Sequence, residues 1–443
     1  CQKHDENMAG LHVAIIPPPR VCLTCRGRPD SLNGGMLRRH FFLGAATAAA
    51  SLRVVGASDR LRLAMIGLGG RGRWLLQNEE FPQADFAAFA DCWLPQCEKA
   101  AQIRPSYAQA RHYQDYRRML DGEKLDAVFV ETTTHARVLI AIHCMQAGLD
   151  VYAEKPLTLT IEEGRVLRRA VERYRRVLQC GTQQRSIPIN AWASRFIREG
   201  GIGRVKEVIA CNFEPPKRWT PKPEMPMPEG LDWDSWCNQT ELRPYHEDLQ
   251  RRWAWWWDYD NGGQSWGVSG WGTHALDQVQ CALGTDDTGP VELWPEGEGE
   301  QAPVILRYAN GTLLKCTGQK RPDHSDLGAI FVGEKGTLEI KRGTLVWDPP
   351  GLIGDRPEDT PEGPGENRWH IENFLDCVRT RSRPNAHVEA AHRSTTLCHL
   401  ITICRERSRR LEWDPKAERF RNDAQANAML SRPRRKGYEL PKV

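Results

Sequence analysis

Lys155 stands between Glu154 and Pro156, just past a short apolar run at 150–153 that reads as a buried strand. Proline disfavours the helical conformation for the residue before it, so Lys155 is held extended at the strand's carboxyl edge. In open α/β sheets that edge is where ligands bind. A lysine beside a positively charged nicotinamide is pushed toward its neutral form and can take a proton from a hydroxyl. A tight turn at such an edge is also where a cis Lys155–Pro156 bond is expected. The second motif, Gly67-Leu-Gly69-Gly70-Arg71-Gly72, directly follows an apolar run at 61–66. Its first glycine permits a tight turn. The second lets the backbone approach a pyrophosphate, and the third lets helix and strand pack closely. The helix start offers N–H groups and a positive dipole end to phosphates. A further strand at 85–90 leads into Asp91, nineteen residues after Gly72. An acidic group there accepts hydrogen bonds from an adenosine ribose and repels the extra phosphate of NADP. NAD, tightly bound, is therefore the expected cofactor, while Arg71 and Arg73 leave NADP open.

The elements that must position these residues alternate. Strands are expected at 61–66, 85–90, 126–130, 150–153 and 177–181, with helices between them, for example at 113–120 and 138–147. Gly148 stops the latter. This pattern predicts a doubly wound parallel sheet of the Rossmann kind over 60–182. Beyond 183 a long strand is expected at 204–213. An Asn310-Gly311 hairpin and a second hairpin around Gly336 follow, and closing helices at 368–379 and 390–407. Residues 183–443 therefore read as a substrate-binding α+β domain with a mostly antiparallel open sheet. The stretch 215–265 has little periodicity and many prolines, and a connection that long is usually functional.

Eight of the sixteen tryptophans fall between 233 and 271. Their flat faces suit the C–H surface of a sugar, and they suit a domain or oligomer interface equally well. A net charge of +4, spread along 443 residues, implies no nucleic-acid partner. The basic run at 432–436 reads as a solvated tail. No apolar stretch is long enough to span a bilayer. The lone Cys22-x-x-Cys25 has no partner pair, so no metal site is expected. Residues 1–35 read as an upstream extension before Met36. Residues 36–57, with Arg38, Arg39 and small residues near Ala57, read as a twin-arginine-like export signal. A periplasmic location and use of the twin-arginine machinery follow from it. The protein stays cytoplasmic if the signal is silent.

The chain resembles the glucose–fructose oxidoreductase and inositol dehydrogenase family, Gfo/Idh/MocA. The resemblance lies in 67–72, in 147–156, in Trp271-Gly-Thr-His274-Ala-Leu-Asp277, in 333–337 and in 413–418. It implies Lys155 as catalytic acid/base and His274 as the group that contacts the substrate hydroxyl, with Asp277 as a further catalytic candidate. On the cofactor side it implies Gly67, Gly69, Gly70, Arg71, Gly72, Asp91, Thr132, His135, Glu154 and Lys155. On the substrate side the expected residues are Arg185, Trp257, Tyr259, Trp271 and His274. Two departures stand out. Gly270 occupies the place of an aspartate four residues before the histidine. The usual Thr-Pro-x-x-x-His reads Thr132-Thr133-Thr-His135-Ala-Arg137. The implied activity is hydride transfer between NAD(P) and a sugar or polyol, in a homo-oligomer. Transient oxidation with elimination, giving glycoside cleavage, is the alternative. A non-catalytic binding protein is a third reading. If Gly270 vacates a carboxylate, His274 needs another partner on its second nitrogen, with Asp277, Asp258, Asp260 or a backbone carbonyl as candidates.

Overall fold

The computed structural model describes residues 60–443 apart from 264–265, 319–326, 362 and 364. The expected extension at 1–35 and export signal at 36–57 lie outside the described residues. The first sheet is built from β1 (Leu61–Ile66), β2 (Ala84–Ala90), β3 (Arg111–Tyr113), β4 (Ala127–Val130), β5 (Asp150–Ala153) and β6 (Leu178–Cys180). The order is β3-β2-β1-β4-β5-β6, all parallel. Its central strands are apolar on both faces because helices cover both. These are α1 (Gly70–Asn78), α2 (Pro95–Ala101), α3 (Tyr116–Gly122), α4 (Thr134–Gln146) and α5 (Ile161–Tyr174). Strand β3 was not expected. It is three residues long, exposed and polar, so it carries no apolar signal. The expected helix at 113–120 begins later, where Asp115 caps α3 by accepting the Arg117 N–H.

Helix α6 (Pro188–Arg198) and β7 (Val205–Cys211) open the second region. Two short helices, α7 (Trp233–Cys237) and α8 (Glu247–Arg251), interrupt the tryptophan-rich loop, and α9 (Trp271–Leu283) follows it. The sheet then adds β8 (Glu292–Pro295), β9 (Val304–Arg307), β10 (Leu313–Gly318), β11 (Ala329–Gly333), β12 (Thr337–Ile340) and β13 (Leu345–Asp348). After α10 (Arg368–Thr380) and α11 (Val388–Arg407) come β14 (Leu411–Asp414), β15 (Arg419–Phe420) and α12 (Ala424–Ala428). The strand order is β13-β12-β11-β7-β10-β9-β8-β14-β15, with β7 and β10 parallel and the other described pairs antiparallel. Both expected hairpins form, β9–β10 at Gly311 and β11–β12 at Gly336. Ala275 and Val279 of α9, Ile189 of α6 and Leu397 of α11 share one core with this sheet.

Two late segments return to the first sheet. Ile371, Phe374 and Leu375 of α10 join its core, Phe374 meeting Phe129 edge-on at 5.5 Å. Leu440 and Val443 pack against its opposite face. The basic run is not a solvated tail. The Arg432 guanidinium lies 4.3 Å over the Trp257 ring, Arg434 pairs with Glu163, and Arg435 pairs with Asp234. A charge run reads as solvated only until a partner 170 to 270 residues away is known to face it.

Candidate active site

The chain leaves β1 through Gly67, whose φ is +92°. A Cβ there would lie 2.8 Å from the Glu131 carbonyl carbon, so the turn can pass the end of β4 only with glycine. A Cβ at Gly72 would overlap the Gly67 carbonyl oxygen, so helix and strand touch backbone to backbone. Around Gly69 and Gly70 there is open space within 4 Å of such an atom. No side chain caps α1, which leaves its first N–H groups without a partner from the chain. Both glycines line a cavity of about 520 Å³. Asp91, at the carboxyl end of β2, lines it too. Its carboxylate accepts the N–H of Leu68 at 2.6 Å and of Trp93 at 2.8 Å. Burial pushes its pKa up against those two bonds. Arg71, Arg73, Glu131 and Thr132 complete the near wall, and Tyr116, Leu139, His143 and Tyr438 form the far end.

A buried charged group adjoins the near wall. Arg71 turns inward and donates to Glu154 at 2.7 Å. The Arg71 and Lys155 charges and that bond hold the Glu154 carboxyl low against its burial. Glu131, at the end of β4, is forced far up by burial and by the charge of Glu154. The peptide bond between Lys155 and Pro156 is cis, as expected. The Lys155 ammonium donates to the Gly270 carbonyl at 3.2 Å, at the N-terminal cap of α9. Burial lowers its pKa, opposed by Glu154 and Asp260. A helix N-terminus is an unfavourable place for a cation, which acts in the same direction as the burial.

His274 lies in the first turn of the same helix, 5% exposed. Burial and the Lys155 charge hold its pKa well below the usual histidine range, so the ring is neutral. Among the described residues no carboxylate bonds to it, contrary to expectation, and its Nδ1 has no hydrogen-bond partner. Asp277 faces the other way. It accepts from Arg185 at 2.7 Å and from Ser394 at 2.7 Å. Arg185 also forks onto Asp286 at 2.8 and 2.9 Å. Arg185 and Asp277, expected at the substrate and the catalytic centre, therefore saturate each other as a structural ion pair. Asp258 is taken by Arg243 at 2.8 Å.

Four more expectations are corrected. His135 does not line the cavity. Its Nε2 meets the Trp236 carbonyl at 2.8 Å and its ring packs against Trp236 and Tyr259. Tyr259 is fully buried in that aromatic cluster. Trp257 is sandwiched between Arg218 and Arg432, at 4.1 and 4.3 Å. Trp271 stacks obliquely on Trp266 at 4.7 Å. Of the tryptophans, Trp93, Trp236 and Trp253 line the cavity, and the rest of the cluster is mainly packing. Lys155, Glu154 and His274 are not among the residues that line the cavity. Sequence reasoning missed Glu131 and Arg137. Glu131 had a signal, a carboxylate at the carboxyl end of a parallel strand. Arg137 was seen only as a departure. It is fully buried and donates to the carbonyls of Thr132 and Pro156, tying the turn after β4 to the turn after β5.

Residues 61–182 match the family model described as an NAD-binding Rossmann fold of an oxidoreductase family, and residues 210–440 match its C-terminal alpha/beta domain. The chain belongs to the Gfo/Idh/MocA family. Within the family it is 29% identical over 147 residues to the scyllo-inositol 2-dehydrogenase (NAD+) of Bacillus subtilis, covering 33% of this chain and 42% of that one. It is 30% identical over 143 residues to a glycosyl hydrolase family 109 protein of Stenotrophomonas maltophilia, covering 29% and 31%. The chain thus spans less than half the length of these curated relatives. The fold is similar to that of the aldose-aldose oxidoreductase of Caulobacter crescentus, at a TM-score of 0.58 and 16% identity over 80% of this chain and 99% of that one. Residues 61–182 are thus shown to be the family's NAD-binding Rossmann domain.

Proposed function

We propose that the chain is an NAD-dependent dehydrogenase that removes a hydride from the hydroxyl-bearing carbon of a sugar or polyol. The observation that carries this reading is Lys155 bonded to the carbonyl of Gly270 at the cap of α9, one turn from His274. The cavity fits a nicotinamide dinucleotide. Its uncapped helix start, its open space at Gly69 and Gly70 and the carboxylate of Asp91 match pyrophosphate and ribose. When bound, the cofactor accepts the hydride. Lys155 removes the hydroxyl proton, which its burial-lowered pKa favours. His274 stays neutral and offers a ring nitrogen to the same hydroxyl. Arg71 is committed to Glu154, and Arg73 to the Leu68 carbonyl and Gln96, which supports NAD over NADP. The paired arginines at 38 and 39 support export of the folded protein with its cofactor bound.

The family 109 relative supports a second reading, in which the same oxidation acidifies a neighbouring C–H and expels an aglycone. One experiment separates them. The purified protein is assayed with a panel of polyols, sugars and aryl glycosides, following reduced-cofactor absorbance and aglycone release together. Absorbance alone is the expected result. Release without absorbance selects the second reading. Lys155→Ala should lower turnover by about 10²- to 10⁴-fold and leave NAD affinity nearly unchanged. Turnover that survives the substitution, or NAD binding with no turnover anywhere on the panel, overturns both.

A further inference from the structure

Two segments distant in sequence from the glycine turn help to wall its cavity. The first belongs to the tryptophan-rich loop. It runs antiparallel to the turn after β2, with Leu231 bridging to Trp93. The Leu94 N–H donates to the Gly230 carbonyl at 3.1 Å, and the Asp232 N–H to the Cys92 carbonyl at 2.8 Å. The Trp93 indole N–H donates to the Glu229 carbonyl at 3.0 Å. This is the same turn whose Trp93 backbone N–H meets the Asp91 carboxylate. The loop then enters α7, and Ser235, Trp236 and Asn238 line the cavity. The second segment is the C-terminal tail, which adds Gly437 and Tyr438 to the wall.

The two segments meet at Asp234 of α7. Its carboxylate pairs with Arg435 and accepts the Tyr438 hydroxyl at 2.5 Å. Its carbonyl accepts the Arg435 guanidinium at 2.8 Å. One residue thus grips the tail on both sides of Gly437, whose φ of +89° turns the chain between them. The loop side is a main-chain ladder, but the Asp234 side chain is 54% exposed. A contact so exposed opens without disturbing the core, and salt screens it. We propose that loop and tail form a clasp over the dinucleotide, and that Asp234 is its latch and sets how fast the cofactor leaves. The inference rests on the reading of the cavity as a nicotinamide dinucleotide site.

The test needs no substrate. Protein loaded with NADH is chased with excess NAD+, and the loss of bound-NADH fluorescence gives the dissociation rate. Asp234→Ala should release NADH about tenfold faster. Tyr438→Phe keeps the ring in the wall, loses the hydroxyl's grip, and should release it about threefold faster. Raising salt from about 0.1 to 1 M shortens the screening length from about 10 to 3 Å. That change should speed release from the unaltered protein and not from Asp234→Ala. Glu334→Gln breaks an exposed pair with Arg204 on the second sheet and should leave the rate as it was. Hydrogen exchange reads the latch without any ligand: the Arg435 N–H, which donates to the Gln239 carbonyl, should exchange faster in Asp234→Ala. NADH that leaves every variant at the same rate overturns the clasp. Tail amides equally protected in Asp234→Ala overturn the latch, even if the rate moves. A protein that takes up no NADH sinks the dinucleotide reading and the clasp with it, so the two failures are told apart.

Discussion

Gly69 and Gly72 stand three residues apart in one turn and should respond differently to the same substitution. Gly72→Ala drives a methyl into the Gly67 carbonyl, a fixed backbone atom, so strand and helix must separate. A cost of about 1–3 kcal/mol is expected, seen as a lower melting temperature with or without NAD. Gly69→Ala meets nothing within 4 Å. Its melting temperature should hold while NAD affinity drops about tenfold in calorimetry, because the methyl occupies the phosphate's approach. Equal effects on stability would mean that the turn does not cradle a phosphate. Gly67, Gly69, Gly72, Asp91 and Lys155 were readable because local chain geometry alone dictates where they sit. Arg185 and Asp277 were not. They are 92 residues apart, and an arginine and an aspartate look the same in a sequence whether they bind a substrate or each other.

A single glutamate joins three elements. Glu418, at the β14–β15 turn, accepts from His392 at 2.5 Å and pairs with Arg393 at 3.2 Å on α11 and with Arg165 at 3.3 Å on α5. These partners hold its pKa down to about 2, from an ordinary 4.5. A carboxylate depressed on folding stabilises fully above its unfolded pKa, and loses that contribution as pH falls toward the folded one. Melting temperature should therefore decline from about pH 4.5 toward pH 2, and Glu418→Gln should flatten that slope while lowering the plateau near neutrality. A slope unchanged in the variant assigns acid sensitivity elsewhere. The C-terminal tail offers a second test at this scale. Gly437 and Tyr438 wall the cavity, and Arg432, Arg434 and Arg435 anchor them. Removing 431–443 should weaken NAD binding by about an order of magnitude. Neither the hairpin's role nor the tail's was readable, since both depend on charges meeting across the fold. Strand β3 was missed for the opposite reason: backbone pairing alone makes it, with no side-chain pattern to announce it.

Across the whole molecule, the alternation of strand and helix up to residue 182 predicted the first sheet, and the hairpin turns predicted the second. What alternation could not convey is that the sheet at 60–182 borrows part of its cover from later in the chain. Ile371, Phe374 and Leu375 of α10 lie at 0% exposure against Phe129 and Tyr152. A fragment of residues 60–182 should therefore retain helical circular dichroism, lose its near-ultraviolet signal and bind a hydrophobic dye, whereas residues 60–443 melt in one transition. A fragment with native near-ultraviolet signal would show that α10 is an accessory. The sequence predicted α10 as a closing helix at 368–379. It could not say against which sheet.

The wall supplied by Tyr438 sets a schedule for biosynthesis. The glycine turn emerges early, but the ribosome adds Tyr438 371 positions after Gly67. At about 5–20 residues per second, roughly 20–70 s separate the two. During that interval a nascent chain presents the turn without α10 over its sheet and without the far end of its cavity. Nucleotide capture thus belongs late in synthesis, and a slow stretch of codons near position 430 would postpone it without altering any contact in the finished protein.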